Sequence, residues 1–168
     1  FPEAKRITRY AIKKEGDIFD RSQLVAFAAA LPKEYALAPI DRTLFHKALE
    51  QRWSRDFCAN FEDYAMYEKW GLGVAVLRQG EIVSGASSYT AYQGGIEIEI
   101  HTRRDCRRKG LALACASRLI LDCLDRGLYP SWDAANLESV ALAQKLGYHF
   151  DREYLTLELH GLAALPPG

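Results

Sequence analysis

Three ionisable side chains, Glu97, Glu99 and His101, alternate with Ile96, Ile98 and Ile100. That period of two is the pattern of a β-strand with one buried face, so the ionisable groups share the other face. Carboxylates so placed can take up a proton or bind an ammonium group, and imidazole is the usual proton carrier near neutral pH. A plain solvated strand face would show the same pattern. The next residues, Arg103-Arg104-Asp105-Cys106-Arg107-Arg108-Lys109, form a basic turn closed by Gly110. A helical pattern of small and apolar residues follows: Leu111, Ala112, Cys115, Ala116, Leu119, Ile120 and Cys123. A strand that feeds a basic, glycine-punctuated loop into a helix N-terminus makes an anion site. The first-turn N–H groups lack intrahelical partners, the helix dipole adds positive potential, and Gly110 allows close approach. The alternative is a charged surface loop ahead of a helix.

The rest of the chain must position these groups. Its 168 residues make one or at most two small domains with room for a sizeable core. Apolar residues at 49% and charged residues at 26% are those of a soluble globular protein. A formal charge of zero argues against a general nucleic-acid or membrane-surface binder, including one built on the Arg103–Lys109 cluster. No apolar run approaches a membrane span, and the first residues do not resemble a secretory signal. Cys58, Cys106, Cys115 and Cys123 form no paired metal-ligand spacing, so no metal is expected and the chain reads as reduced and cytoplasmic. It begins at Phe1, as a fragment or processed product would.

In order, the patterns predict a strand over 6–14, a helix over 24–31 behind the Asp20 cap, an extended piece over 35–40, and a helix over 42–53 capped by Asp41. Trp53, Phe57, Phe61 and Tyr64 then recur at near-helical spacing, with Tyr67 and Trp70 after them. They read as core packing, with a wall of an acceptor pocket as the sharper alternative. Strands are expected over 71–79, 81–92 and 96–101 as an antiparallel meander, then a helix over 108–126. A short parallel strand over 129–133, a helix over 137–146 and a strand over 148–159 complete the pattern.

Arg107-Arg108-Lys109-Gly110-Leu111-Ala112 has the spacing R-x-x-G-x-A, and residues 136–148 read N-L-E-S-V-A-L-A-Q-K-L-G-Y. Together, and in this order, they resemble the two signatures of the GNAT family of N-acetyltransferases, which use acetyl-coenzyme A. The adjoining words SGASSYT (84–90) and PSWDAAN (130–136) resemble a bacterial branch that also carries an additional N-terminal region. The resemblance implies an α+β fold with a mixed, mostly antiparallel central sheet of about six strands and helices on both faces. It implies an N-terminal helical and strand region over 1–70 on the acceptor side, an acetyl-CoA-binding core over 71–160, and a flexible tail over 161–168.

Acetyl-CoA is then the co-substrate, and a primary amine of a small molecule or peptide is the acceptor, attacking directly in a ternary complex. No nucleic acid or membrane partner is implied, and a homodimer is left open. The strand over 98–102, with Ile100 and Thr102, would offer backbone groups to the pantetheine arm. Arg107, Arg108, Lys109, Gly110, Leu111 and Ala112 would hold the pyrophosphate, mainly through N–H groups. Asn136 and Ser139 would serve the coenzyme from the second helix, and Lys145 would lie near its phosphates. Asn136 is equally a plausible helix N-cap, and Lys145 suits a helix C-terminus in any case. For the base, Glu99 ranks first, Glu97 second and His101 third. Many family members protonate the leaving thiolate with a tyrosine whose position here is Ala143. Tyr148 and Tyr89 are candidates by residue type only. The missing tyrosine also keeps open a non-catalytic acyl-CoA-binding sensor or regulatory module.

Overall fold

A computed structural model describes residues 4–159. In chain order its elements are β1 (Ala4–Ile12), α1 (Arg21–Ala28), β2 (Ala36–Pro39), α2 (Arg42–Glu50), a 3-10 turn (Arg55–Phe57) and α3 (Tyr64–Trp70). Then come β3 (Gly73–Arg78), β4 (Glu81–Tyr92), β5 (Gly95–Thr102), a second 3-10 turn (Arg104–Cys106), α4 (Leu111–Asp125), β6 (Tyr129–Ser131), β7 (Asp133–Ala134), α5 (Leu137–Leu146) and β8 (Phe150–Leu159). The expected tail over 161–168 lies outside the described residues.

Side-chain caps start four of the five helices. Asp20, Asp41, Asp63 and Asn136 each accept a hydrogen bond from the backbone N–H three residues on. Only α4 starts without one, at Gly110. The helix expected from Arg108 therefore begins at Leu111. Arg108 and Gly110 both adopt left-handed backbone, at φ +64° and +76°, which no α-helix continues.

The chain forms two units, one of residues 16–131 and one of residues 4–15 with 132–159. The larger unit holds a five-stranded sheet in the order β2-β3-β4-β5-β6, antiparallel except where β6 runs parallel to β5. The β3–β4 hairpin turns through Gln79 and Gly80, both left-handed, as a two-residue turn of matching twist requires. Helix α4 packs on one face, where Cys115 Sγ meets Ser84 Oγ at 3.8 Å. The other face carries α2, the first 3-10 turn and α3.

There, Phe57 lies directly over Gly85, where an added Cβ would come within 2.8 Å of its ring. Ser87 Oγ donates to Phe57 O at 2.7 Å, and the Tyr67 hydroxyl lies 2.7 Å from the same Oγ. Tyr67 packs against Phe45 and Phe61 at ring separations of 5.4 and 5.1 Å. The aromatic run is thus mainly core, as its residue types suggest, but only 64–70 of it is α-helix. Residues 53–63 wind through a 3-10 turn and bends.

The division expected at residue 70 is not where the chain separates. Strand β2 pairs with β3, and α2 and α3 share one core with residues 71–131. In the smaller unit, β1 pairs antiparallel with β8 along its whole length, with β7 on its other side. The strand expected over 129–133 is therefore two, divided at Trp132 between the two sheets.

All four cysteines are unpaired and buried. Burial pushes the thiols of Cys58, Cys115 and Cys123 up to about 12. At pH 8 their reactive thiolate fraction is then about one part in ten thousand. The folded protein should take up no iodoacetamide at that pH over an hour, and four equivalents after unfolding in urea, as read by intact mass. Rapid labelling of the folded chain would contradict this packing.

Candidate active site

The loop after β5 is held at both ends. Arg103 N–H donates to Val83 O at 2.8 Å, and the Cys106 side chain is buried. The Arg103 guanidinium grips Asp105 through two bonds, at 2.7 and 3.0 Å, which holds that carboxyl below its usual range. Arg104, Arg108 and Lys109 are exposed and form no ion pair among the described residues. Between Arg107 and Leu111 the backbone alternates hand, with Arg108 and Gly110 left-handed. Successive residues of opposite hand turn their N–H groups into a common concavity. A non-glycine residue in this region costs on the order of 1 kcal/mol, and such outliers cluster at ligand sites. The first N–H of α4 to find an intrahelical acceptor is that of Ala114, on Gly110 O at 3.2 Å. The N–H groups of Leu111, Ala112 and Leu113 thus precede the helix ladder, with no side-chain cap over them. An added Cβ on Gly110 would meet no atom within 4 Å, so the approach to these donors is open.

Strand β5 leads into this loop with one edge largely bare. Strand β4 pairs with it from Gly95 to Thr102, but β6 pairs only from Gly95 to Glu97. From Ile98 onward no other strand of this unit covers that edge. This is why Ile98 and Ile100 are only half-buried, whereas Ile96 is fully buried. Thr102 faces α4, with its hydroxyl 2.8 Å from Ser84 Oγ, and its carbonyl accepts from Arg107 Nε at 3.4 Å.

Alternation turns Glu97, Glu99 and His101 to the opposite face, towards the first 3-10 turn. Register confirms this: His101 lies opposite Gly85 and Glu99 opposite Ser87, the two positions covered by Phe57. The His101 ring sits 5.9 Å from that of Phe57, and His101 Nε2 lies 2.5 Å from Glu99 Oε1. An ionised carboxylate only accepts, so Nε2 carries the proton and Nδ1 is left as the ring's acceptor. A third group joins them. One side-chain atom each of Asp56, Glu99 and His101 lies within 4.8 Å of the other two. Two carboxylates and an imidazole make a donor set for a cation or an ammonium group. Asp56 is a residue that sequence reading missed. It stands 43 positions before Glu99, and its only signal is its place beside Phe57, which the aromatic run assigns to the core.

The remaining sequence candidates, Tyr89 apart, lie in the smaller unit. Asn136 Oδ1 caps α5 by accepting from Ser139 N at 2.8 Å, and Ser139 Oγ accepts from Trp132 Nε1 at 3.1 Å. The capping explanation for Asn136 is therefore realised. Lys145 is exposed in the last turn of α5, about 13 Å of helical rise away from Asn136. Tyr148 is 2% exposed, with its ring against Trp132 at 5.4 Å, and presents no surface for proton delivery. Ala143, at the family's tyrosine position, is fully buried. Tyr89 is different. It is the extra residue of a bulge in β4, and it is 40% exposed.

The family model described as GNAT acetyltransferase matches residues 2–157. An uncharacterized N-acetyltransferase of Bacillus subtilis, YdfB, is 33% identical over 130 residues, covering 74% of this chain and 48% of that protein. The crystal structure of a GCN5-related N-acetyltransferase-like protein from Streptococcus suis superposes with a TM-score of 0.91 at 48% identity, over 94% of this chain and 63% of that one. A putative acetyltransferase from Novosphingobium aromaticivorans shares the fold alone, with a TM-score of 0.61 at 16% identity over 93% of this chain and 67% of that one. The chain thus spans about half the length of the curated relative and under two thirds of the Streptococcus protein.

The cap at Asn136 has a measurable consequence. Asn136→Ala should lower stability by about 1 kcal/mol in urea unfolding, and Asn136→Asp by only a few tenths. Equal losses in the two variants would show that the cap is not what Asn136 contributes.

Proposed function

The chain belongs to the GNAT acetyltransferase family, and from that premise we propose that it transfers an acetyl group from acetyl-CoA to a primary amine of a small molecule or peptide, by direct attack in a ternary complex. The observation that carries this reading is the uncapped N-terminus of α4, reached through alternating backbone at the end of a strand whose edge is bare from Ile98. The N–H groups at 107–112 receive the pyrophosphate, and Arg107, Arg108 and Lys109 add charge. The bare edge of β5 pairs with the amide-bearing pantetheine arm, in the way an added strand would. Bound there, the co-substrate supplies an activated thioester carbonyl. Asn136, Ser139 and Lys145 are coenzyme contacts by family resemblance alone, and Asn136 and Ser139 bond within their own unit.

The amine nitrogen attacks that carbonyl, a C–N bond forms, the C–S bond breaks and the thiolate leaves. A backbone N–H of β5 stabilises the oxyanion. The amine proton passes to the Glu99–His101 pair, directly or through water. Glu99 holds the imidazole in one tautomer and stabilises the imidazolium that forms, the division of labour seen wherever a carboxylate backs a catalytic histidine. Asp56 and Glu97 add negative charge that draws an ammonium acceptor. The thiolate takes its proton from solvent, because Tyr148 is buried and Tyr89 lines the cavity beside α3. The competing reading, a non-catalytic acyl-CoA module, is favoured by one observation, the buried Ala143 at the usual acid's position. Thiol release with a panel of amines separates the two, since a binding module releases none.

Two variants test the division of the site. Gly110→Val should lower coenzyme A affinity at least about tenfold in calorimetric titration with the fold kept, because a β-branched residue resists φ +76° and crowds the approach. Unchanged affinity would remove the loop from the site. Glu99→Gln should lower kcat/KM about a hundredfold with coenzyme A affinity unchanged. The base acts unprotonated, so wild-type activity rises with pH, and removing the carboxylate that stabilises the imidazolium should move that ascending limb to lower pH. If the limb instead stays where the acceptor's own ionisation sets it, the amine arrives already neutral. Glu97→Gln is the control, and a crippled Glu97 variant beside an unaffected Glu99 one would name the wrong carboxylate. The double variant Glu99→Gln/His101→Ala should be little worse than either single one if the two act as a unit.

A further inference from the structure

Helix α3 has an inner and an outer stripe. Tyr67 is the inner residue, 1% exposed, while Met66 and Trp70, four apart on the outer stripe, are 42% and 55% exposed. Across from them stands Tyr89, the bulge residue of β4. A bulge re-aims the side chain it carries, and this one is pinned by Asn60 Nδ2, which donates to Tyr89 O at 3.0 Å. These three side chains and Phe61 line a cavity of about 430 Å³, with Glu62 and Thr90 also in its lining. Single exposed apolar side chains need no explanation, but several around one cavity mark a binding site.

The cavity connects to the proposed chemistry through strand register. Thr90 lies opposite Glu97, so both point to the face that carries Glu99 and His101. Glu99 is two residues further along β5, about 7 Å of strand rise. An amine that reaches the Glu99–His101 pair therefore has its next few atoms over Glu97 and its remainder in the cavity. The charges along this path are mainly carboxylates, Glu62 in the lining, Glu97 beneath, and Glu99 and Asp56 at the far end, with the cation Lys69 against the Trp70 ring. The carboxylates favour an ammonium group and repel an acceptor that carries its own carboxylate beside the amine.

We propose that the acceptor is a primary amine joined by a short spacer to an aromatic or similarly bulky apolar body, with Phe61, Met66, Trp70 and Tyr89 holding that body. This rests on the acetyl-transfer reading for what happens to the amine, but not for where the body binds. A polyamine would leave this apolar lining without a partner, and a free aromatic amino acid would set its carboxylate against Glu97. The indole of Trp70 is steadied by Lys69, whose Nζ lies 5.0 Å from the ring centroid.

The test compares tryptamine, phenethylamine, butylamine, spermidine and free tryptophan as acceptors, with acetyl-CoA turnover read as thiol release. The two aryl amines should exceed butylamine, spermidine and tryptophan in kcat/KM by about tenfold or more, the scale of burying one aromatic ring. In Trp70→Ala that preference should collapse to within about threefold, mainly through KM. A preference for spermidine or tryptophan, or an aryl preference untouched by Trp70→Ala and Tyr89→Ala, would overturn the proposal. Calorimetric titration of tryptamine into the coenzyme A-saturated protein tests the groove without turnover. Binding that is lost in Trp70→Ala supports the groove even if no amine is acetylated, in which case only the transfer reading fails. No binding to the wild type sinks the groove itself.

Discussion

The pairing between β5 and β6 stops at Glu97, and the larger unit's candidate site follows from that stop. A strand interior to a sheet normally spends its N–H and C=O groups on two neighbours. Here one edge of β5 is used for three residues and then released. The released edge leads straight into the loop whose helix begins without a cap. Donors left over at the strand and donors left over at the helix N-terminus thus fall in sequence along one path, the arrangement a long ligand with an anionic end requires.

The other face of the same strand depends on a different contact. Phe57 sits in the space that Gly85 leaves, its carbonyl bonded by Ser87, which the Tyr67 hydroxyl meets from the other side. Burial pushes the Tyr67 phenol well above its ordinary range, so it stays a neutral partner in that chain. The network seats the 3-10 turn against the sheet, and so brings Asp56 beside Glu99 and His101. A core contact and a surface chemical group are adjacent residues here, and fixing the first places the second.

A net charge of zero conceals a strong separation. Cations concentrate in the loop beyond the end of β5, and carboxylates along the face of β5 and on the 3-10 turn. One strand therefore carries a positive potential at its end and a negative one on its flank. An anionic donor and a cationic acceptor are drawn to different parts of the same element, which suits a reaction that must bring the two together.

Alternation along β5, the R-x-x-G-x-A loop, the capping residues and the second signature were legible because each is local. A period of two, a cap three residues from its donor and a motif of six residues are properties of neighbours in the chain, so the sequence alone determined the strand–loop–helix order and the family, while the helix start at Leu111 and its missing cap came from the structure. What only the tertiary structure decided is long-range. The left-handed backbone at Arg108, the early end of β6, the sharing of one core across residue 70 and the bulge that turns Tyr89 outward all depend on how distant strands register. Asp56 joins Glu99 and His101 only because an aromatic ring fits over a glycine 28 residues later. Asn136 and Tyr148 show the converse. Their residue types allowed a catalytic or binding role, but the helix cap occupies the oxygen of one and the core takes up the ring of the other. Packing and register are sums over contacts between residues far apart in the chain, and no local pattern records them.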